Sequence, residues 1–233
     1  MSACLRGSRR AGITIELPAD PTLDEIRVAL APLLPRQAAF DGWRPAAVDN
    51  AARLAGVDPA IAQLAFADGA TGMIDAWFSS IDTRMADAFS AEALSVMKIR
   101  ERIAALVEAR LTLLAPDREA LRRALAILAL PQNLAKSAKL GWRAADGIWR
   151  LAGDTATDYN HYTKRMTLGA VYASTMVVFL DDESEGHADT LAFLARRLDG
   201  VMRFEKAKAR LSARKDHHFS VSRFIGRLRY PIV

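Results

Sequence analysis

The sequence predicts an all-α protein of about ten helices. Apolar residues recur at helical spacing along most of the 233 residues, and proline and glycine fall between those segments. Nowhere do β-branched and polar residues alternate over the length of a strand. With 51% hydrophobic and 25% charged residues, the chain has the composition of a globular protein that buries a sizeable core.

The helix boundaries follow from capping residues and prolines. Thr22-Leu-Asp-Glu25 is a capping-box sequence, which opens the first helix. Ser90 is a suitable N-cap for the fifth helix, and Pro116 ends that helix. In chain order, we expect helices at about 22–34, 45–55, 59–67, 73–89, 91–114, 117–130, 131–152, 157–180, 187–213 and 219–229.

The first three helices have the arrangement of a helix-turn-helix. Trp43 precedes the segment Ala51-Ala-Arg-Leu-Ala-Gly-Val57, whose small residues let two short helices cross closely. A longer helix follows from about Met73. This order resembles a TetR-type regulator, in which the third helix enters the major groove of DNA. We therefore expect a TetR-like helical bundle.

The charges of this unit argue against DNA as its target. Contacts with phosphates supply most of the affinity for a duplex, and they require Lys or Arg. The expected recognition helix within Asp58–Asp68 contains neither, and residues 36–86 hold four arginines against six aspartates. We interpret the unit as a degenerate helix-turn-helix that is kept for packing. A TetR-like transcriptional regulator that responds to a lipophilic effector is the alternative function.

Residues 153–180 combine a polar, aromatic cluster with an apolar helix. The cluster is Gly153–Arg165, and the following Met166–Leu180 is a stretch of fifteen residues without a charge. Fifteen residues are too few to cross a bilayer, which takes about 20. They suit a helix that is buried on nearly every side. The cluster would then lie at the edge of an apolar interior, which favours a recognition site over a catalytic one.

Most of the positive charge lies near the C-terminus. Residues 203–229 hold nine bases and two acids, so this segment has a net charge of +7. Because the whole chain has a net charge of +5, the remaining residues together have −2. Within 219–229, apolar residues recur at helical spacing and arginines fall on the other faces, which is typical of a helix in the headgroup region of an anionic membrane. The alternative is that this apolar stripe packs on the body of the protein or on a second copy.

Catalytic and metal-binding patterns are missing from the sequence. The four histidines form neither Glu-x-x-His nor His-Glu-x-x-His pairs. The acidic run Asp181–Glu185 lacks the ligand spacing of a calcium loop, and no Ser or Cys has a recognisable nucleophile setting. We expect no catalytic residue, no metal and no cofactor. The single cysteine, Cys4, excludes an internal disulfide and fits a reducing compartment.

Four segments together resemble the Coq-nine family, accessory proteins of ubiquinone (coenzyme Q) biosynthesis. They span about 60 residues in order, and the degenerate TetR-like start extends the similarity over most of the chain. On this resemblance the chain is identified as a bacterial member. The segments are Gly141–Asp154, Thr157–Arg165, Val171-Tyr172 with Thr175, and Asp189–Leu198.

The resemblance implies a function without catalysis. Proteins of this family bind isoprenoid or phospholipid in an apolar cavity, form homodimers and attach to membranes through a C-terminal amphipathic helix. They present the lipid substrate to a separate di-iron enzyme, the demethoxyubiquinone hydroxylase. For this chain the resemblance implies a location in the bacterial cytoplasm, peripheral on an anionic inner membrane, with no nucleic acid as partner.

Three sets of site residues follow from the resemblance and the patterns together. The partner-facing patch of the family corresponds to Asp158, Asn160, His161, Tyr162 and Arg165, and eukaryotic members have Trp at the position of His161. Inward-facing candidates for the lipid cavity, which are equally compatible with plain core, are Trp149, Met166, Ala170, Ala173 and Val177. Membrane-contact candidates are Val221, Arg223, Phe224, Ile225, Arg227 and Leu228.

The expected organisation has three parts. Residues 1–20 are a flexible N-terminus, and residues 21–213 form a single TetR-like domain. In that domain, 21–68 is the degenerate helix-turn-helix part and 73–213 is the lipid-binding and dimerisation part. Residues 214–233 are the basic amphipathic tail that contacts the membrane.

Overall fold

The computed structural model describes residues 17–18, 20–155, 157 and 159–215. Over these residues the chain forms eleven α-helices and no strand, which confirms the all-α prediction. Short 3-10 turns lie at Ala115–Asp117, Pro131–Asn133 and Glu185–His187. The helices are α1 (Leu23–Leu30), α2 (Leu34–Asp41), α3 (Pro45–Ala55), α4 (Pro59–Ala65), α5 (Gly69–Asp87), α6 (Ala91–Ser95), α7 (Ile99–Leu114), α8 (Arg118–Leu128), α9 (Leu134–Leu151), α10 (Tyr159–Asp181) and α11 (Ala188–Lys215).

The first predicted helix is divided in two. The capping box at its start is present, because the Thr22 hydroxyl accepts from Glu25 N and Glu25 Oε2 accepts from Thr22 N at 2.8 Å. The helix ends at Leu30, however, and the prediction that it reaches Leu34 is wrong. Pro35 lies in the first turn of α2, where its missing N–H is harmless, so it starts a second helix and does not end the first.

The helix-turn-helix unit consists of α3 and α4. Gly56 ends α3 in the left-handed conformation with φ 71°, which a glycine adopts at little cost. Asp58 then caps α4 by accepting from Ala60 N at 2.7 Å. The helix α4 ends at Ala65, two residues earlier than predicted. Asp58 therefore caps a helix in addition to contributing negative charge.

The predicted helix over 91–114 is interrupted at residues 96–98. Ser90 caps α6 as expected by accepting from Ala93 N at 3.1 Å. The chain turns after Ser95, and α7 begins at Ile99 with Glu101 Oε2 accepting from Lys98 N at 3.0 Å. The side chain of Arg102 donates to Ser95 O and Met97 O, both at 2.9 Å, and so holds the turn. No proline or glycine marks this break, which is why periodicity alone missed it.

One continuous core joins the N-terminal unit to the rest of the described chain. It extends from Ile26 in α1 to Leu198 in α11. Trp43 donates from its indole Nε1 to Ala120 O in α8 at 3.0 Å, and its ring lies 5.4 Å from that of Trp77 in α5. Across the residues described, none of the helices combines the length and the apolar character that a bilayer-spanning helix needs.

Candidate functional site

An apolar cavity of about 270 Å³ lies between α7, α9, α10 and α11. Aliphatic side chains and one indole supply most of its wall, and hydroxyl, amide and cationic groups supply the remainder. The cavity is partly open to solvent, and it lies where the N-terminal parts of α7 and α10 face the last turn of α9. Its lining residues are Ile99, Arg100, Ile103, Trp149, Asn160, Thr163, Lys164, Thr167, Leu168, Val171, Leu198 and Val201.

Trp149 is the one lipid candidate that lies on this wall. Its indole Nε1 donates to Lys164 O at 3.1 Å, which fixes the ring between α9 and α10. The ammonium group of Lys164 lies 5.3 Å from the centre of the same ring, in cation–π geometry. The start of α10 is thereby attached to the end of α9, and this attachment shapes the cavity.

Each cation of the lining is paired with an acid. Arg100 Nη2 lies 2.8 Å from Asp199 Oδ1 in α11, and Lys164 Nζ lies 2.7 Å from Asp154 Oδ1. Neither acid is among the lining residues, so the lining itself carries two positive groups and no negative one. A buried N–H of Arg100, on Nε, has no acceptor among the described residues. The cavity therefore has an apolar part and a polar part that is rich in hydrogen-bond donors.

The other four lipid candidates point outward, and the prediction that they face inward is wrong. Their spacing of four, three and four residues places them on one face of α10, and that face is exposed. Met166 is 67% exposed and Val177 is 62% exposed. The expectation that α10 is buried on nearly every side fails for the same reason. We call this face the α10 stripe; its members are Met166, Ala170, Ala173 and Val177.

Three predicted or neighbouring aromatic residues form a patch on the surface of α9 and α10. The ring of Tyr162 lies 5.9 Å from that of Trp142 and 5.2 Å from that of His161, and Trp142 and His161 are 6.2 Å apart. Tyr162 is 57% exposed, one turn before the first member of the α10 stripe. We call Trp142, His161 and Tyr162 the aromatic patch. Of the predicted partner-facing residues, His161 and Tyr162 belong to it.

Arg165 is a structural residue in this chain, and its prediction as a partner-facing residue is wrong. Its side chain is 2% exposed. Its guanidinium donates to Asp146 Oδ1 at 2.5 Å, to Asp154 Oδ2 at 3.0 Å and to His161 O at 3.1 Å. These contacts fasten the first turns of α10 to α9. A surface partner therefore has no access to the guanidinium, although Arg165 positions the patch beside it.

The remaining predicted residues are distributed as follows. Asn160 is exposed and lines the cavity, so it lies apart from the aromatic patch. Asp158 lies outside the described residues, as does the set of membrane-contact candidates Val221, Arg223, Phe224, Ile225, Arg227 and Leu228. Arg100, Leu198 and Val201 line the cavity but are not among the predicted lipid-binding residues. Leu198 ends one of the resemblance segments, but no sequence signal marked the other two.

A buried polar network connects α7 and α10, two helices of the cavity wall, to α5. Arg110 of α7 donates from Nε to the Tyr172 hydroxyl at 2.8 Å and from Nη1 to Asp82 Oδ1. Burial lowers the pKa of Arg110, but the negative charge of Asp82 and the hydrogen bonds to Tyr172 and Asp82 outweigh burial and raise it. For Tyr172 burial has the opposite effect: it disfavours the charged phenolate and raises the pKa. Both groups thus keep their ordinary protonation states and connect α5, α7 and α10. Over the described residues, no three His, Cys, Asp or Glu side chains are grouped as metal ligands would be.

Comparison with known proteins decides the family. A family model described as COQ9 matches residues 134–205, which contain α9, α10 and most of α11. Human mitochondrial ubiquinone biosynthesis protein COQ9 is 33% identical over 168 residues, which are 69% of this chain and 52% of the human protein. The chain belongs to the COQ9 family. It spans about half the length of the human relative.

One further relative supports the family, and one solved structure supports the fold. The COQ9 protein of Xenopus tropicalis is 42% identical over 96 residues, 41% of this chain and 30% of that protein. The crystal structure of a TetR transcriptional regulator from Nitrosomonas europaea has a TM-score of 0.58 and 26% identity, and it covers 77% of this COQ9-family chain and 97% of its own. The prediction of a TetR-like helical fold is thereby confirmed.

Proposed function

We propose that this COQ9-family chain is a non-enzymatic, lipid-binding accessory protein of ubiquinone biosynthesis. The relatives are named as ubiquinone biosynthesis proteins, which supports the pathway. The observation that carries the lipid-binding part is the apolar cavity, because all its lining residues except those of α7 lie within the region 134–205 that the family model matches. Apolar walls with a few convergent polar groups are typical of small-molecule sites.

The cavity suits one end of an amphiphile. Its apolar wall gives an isoprenoid or acyl chain a place out of water, and the hydroxyl, amide and cationic groups give a polar headgroup hydrogen-bond donors. At about 270 Å³ it is smaller than the usual range of pockets that enclose drug-sized ligands, about 300–1,000 Å³. A long isoprenoid chain is therefore held in part, with the remainder extending outside.

Filling the cavity tests this proposal. Val201 is half-buried on the cavity wall, so Val201→Trp places an indole in the space that the lipid would take. We expect organic extraction of the purified wild-type protein to release an isoprenoid quinone precursor or a phospholipid, identified by mass spectrometry. We expect at least tenfold less from Val201→Trp, and an unchanged amount from Val28→Trp, in which an exposed valine of α1 is replaced in the same way.

Two results would count against a lipid site in the cavity. One is a wild-type extract without lipid. The other is equal lipid in the two tryptophan variants, provided that circular dichroism shows both to be folded. Equal lipid would move the ligand to another surface.

We also propose that the aromatic patch receives the di-iron demethoxyubiquinone hydroxylase, to which the lipid is presented. Tyrosine and tryptophan dominate the binding energy of many protein interfaces, and Tyr162 offers an exposed ring that Trp142 and His161 hold in place. The patch lies on the same helices, α9 and α10, as the cavity wall. A partner bound there would be adjacent to the lipid.

A second copy of the chain is our proposed occupant of the α10 stripe. Apolar side chains on one face of a long helix favour association, and the stripe runs over three turns of α10 without a charge. Homodimerisation would give this face the burial that its composition leads one to expect. The basic tail at 214–233 is our proposed contact with the anionic surface of a membrane.

Transcriptional regulation is the weaker alternative. The similarity to a TetR regulator favours it, but the equivalent of a recognition helix, α4, has an aspartate before it and exposes Ile61 and Leu64 to solvent. Such a surface lacks the cations that duplex binding requires. We expect no salt-dependent change in the fluorescence anisotropy of labelled duplex DNA. Salt-sensitive binding would favour the regulator.

A further inference from the structure

The turn between α6 and α7 presents an apolar side chain to solvent. Val96 is 86% exposed, and Ile99, three residues later, is also exposed. Lys98 lies between them and is exposed as well. Single exposed apolar residues are common on protein surfaces, so exposure alone decides nothing. Two further observations indicate a binding surface: the turn is held in one shape, and it lies beside the cavity.

The turn is held in one shape by Arg102. Its guanidinium donates to Ser95 O, Met97 O and Ala152 O, each at 2.9 Å. The last of these contacts joins the turn to the end of α9. The backbone at Gly153 approaches the same guanidinium so closely that a Cβ there would lie 3.2 Å from Nη1. Val96 therefore projects from a turn that is already ordered, so contact with a surface costs little further backbone entropy.

The position of the turn is at the cavity. Ile99 and Arg100 follow it directly and are lining residues. Arg100 also pairs with Asp199 of α11, so the turn is joined to the helix that leads to the basic tail. From Val201, α11 continues to Lys215, a rise of about 21 Å. The apolar turn, the cavity and the part of α11 that leads into the positively charged segment thus lie close together.

We infer that the α6–α7 turn is a second membrane contact, in which Val96 and Ile99 enter the headgroup region of an anionic bilayer. Apolar side chains with an adjacent lysine are the residues that such a boundary accepts, and the positive charge is attracted to anionic lipid. The contact sets the cavity against the bilayer, so an apolar chain passes between them with little exposure to water. This inference rests on the proposed attachment to a membrane.

A fluorescent label at position 96 tests the contact directly. Cys4 is the only cysteine, so Cys4→Ser provides a background for Val96→Cys and for the control Val28→Cys, which replaces an equally small exposed residue of α1. Each full-length variant carries a polarity-sensitive dye and is mixed with phosphatidylcholine–phosphatidylglycerol vesicles. We expect a blue shift on vesicle binding for the label at 96 and none for the label at 28.

The possible results separate this inference from the proposed function. If vesicles bind the protein but the label at 96 stays in water, the second contact is excluded and attachment through the tail stands. If no vesicles bind, both the contact and the attachment are excluded. A label at 96 that is already in apolar surroundings without vesicles would mean that the chain or a second copy covers the turn, which also overturns the inference.

A matched pair of unlabelled variants measures the size of the effect. Val96→Ser removes the apolar side chain that the bilayer would bury, so we expect vesicle partitioning to weaken about fivefold to tenfold in a sedimentation assay. Val28→Ser is expected to bind like the wild-type protein. Equal partitioning of the two serine variants would overturn the inference.

Discussion

Asp182 is the acceptor that holds the turn between α10 and α11, two helices of the cavity wall. Its Oδ1 accepts from Ser184 N at 2.8 Å and from Ser184 Oγ at 2.5 Å. Its Oδ2 accepts from Thr190 N at 2.8 Å and from Thr190 Oγ1 at 2.5 Å. Burial raises the pKa of this carboxyl, but the hydrogen bonds from Ser184 and Thr190 outweigh burial and hold the pKa well below its usual range.

The substitution Asp182→Asn keeps the shape of the side chain and removes half of its acceptors. The amide nitrogen then faces the two donors of Thr190, which is fully buried. A hydrogen bond to a charged group contributes about 1.5–3 kcal/mol, and some relaxation follows its loss. We therefore expect the free energy of unfolding at neutral pH to fall by about 3 kcal/mol. For a chain of this size that corresponds to a Tm lower by about 6–12 °C.

The pH dependence of the effect follows from the lowered pKa. Because the folded pKa of Asp182 lies below the unfolded value of about 3.9, its stabilisation is complete above about pH 5. The stabilisation is lost as the pH falls through the folded pKa. The difference in stability between the wild-type protein and Asp182→Asn should therefore shrink at about pH 3.

Urea unfolding followed by circular dichroism, at neutral pH and at about pH 3, measures both quantities. The neighbouring Asp181→Asn is the control, because Asp181 is exposed and pairs with Arg122 at 2.8 Å on the surface. Such pairs contribute about 0–1 kcal/mol. If the two asparagine variants lose equal stability, or if the loss in Asp182→Asn is the same at both pH values, the carboxylate does not hold the turn.

Three further predictions concern α10. Arg165→Met removes the buried cation that Asp146 and Asp154 share and leaves them only the more exposed Arg150 and Lys164, so it should lower the free energy of unfolding by about 3–5 kcal/mol. The exposed Arg150→Met should cost under about 1 kcal/mol, and equal losses would contradict the buried pair. Val177→Asp should convert a dimer into a monomer in light scattering, whereas Val28→Asp should not; an unchanged mass would exclude the stripe. Tyr162→Ala should weaken binding of demethoxyubiquinone hydroxylase by about 2 kcal/mol in calorimetry, without lowering the Tm; unchanged affinity would exclude the patch.

Local signals in the sequence predicted much of the fold. The capping box at Thr22 and the N-cap at Ser90 occur where they were expected, and α3 ends at Ala55 as predicted, because such residues satisfy backbone groups close to them in sequence. The first helix was predicted to reach residue 34, just before Pro35, but a proline can begin a helix as well as end one. Which of the two occurs depends on the packing of α2, and no local pattern contains that information.

Packing between distant residues explains what the sequence did not predict. The break at 96–98 depends on Arg102 reaching back to Ser95 and across to Ala152, and an arginine in a helical pattern gives no sign of this. The buried position of Arg165 depends equally on acids that lie 11 and 19 residues before it. Charged residues were assigned to the surface by default, and the default fails where their partners are buried too.

The charge-free stretch of α10 shows a different limit. An absence of charge predicts burial but does not say what covers the helix. Within this chain, α9 and α11 cover one side, where Leu168 and Val171 line the cavity. The other side, with Met166 and Val177, is open. The sequence pattern is therefore satisfied in full only if a second surface covers that side, which is the reason for the proposed dimer.

Trp43 determines whether the N-terminal unit is an independent head or part of the core. Its indole donates to Ala120 O at 3.0 Å and its ring lies 5.4 Å from Trp77, so the unit is joined to both α8 and α5. Trp43→Phe removes the donor from a buried carbonyl and leaves a smaller ring, which should cost about 2–3 kcal/mol. We expect circular dichroism and tryptophan fluorescence to report one shared transition at a lower Tm, with a smaller change for the half-buried Trp142→Phe. An early transition confined to the N-terminal helices would instead show that they unfold as a separate unit, as an independent DNA-binding domain does. That result would favour the transcriptional regulator as the function.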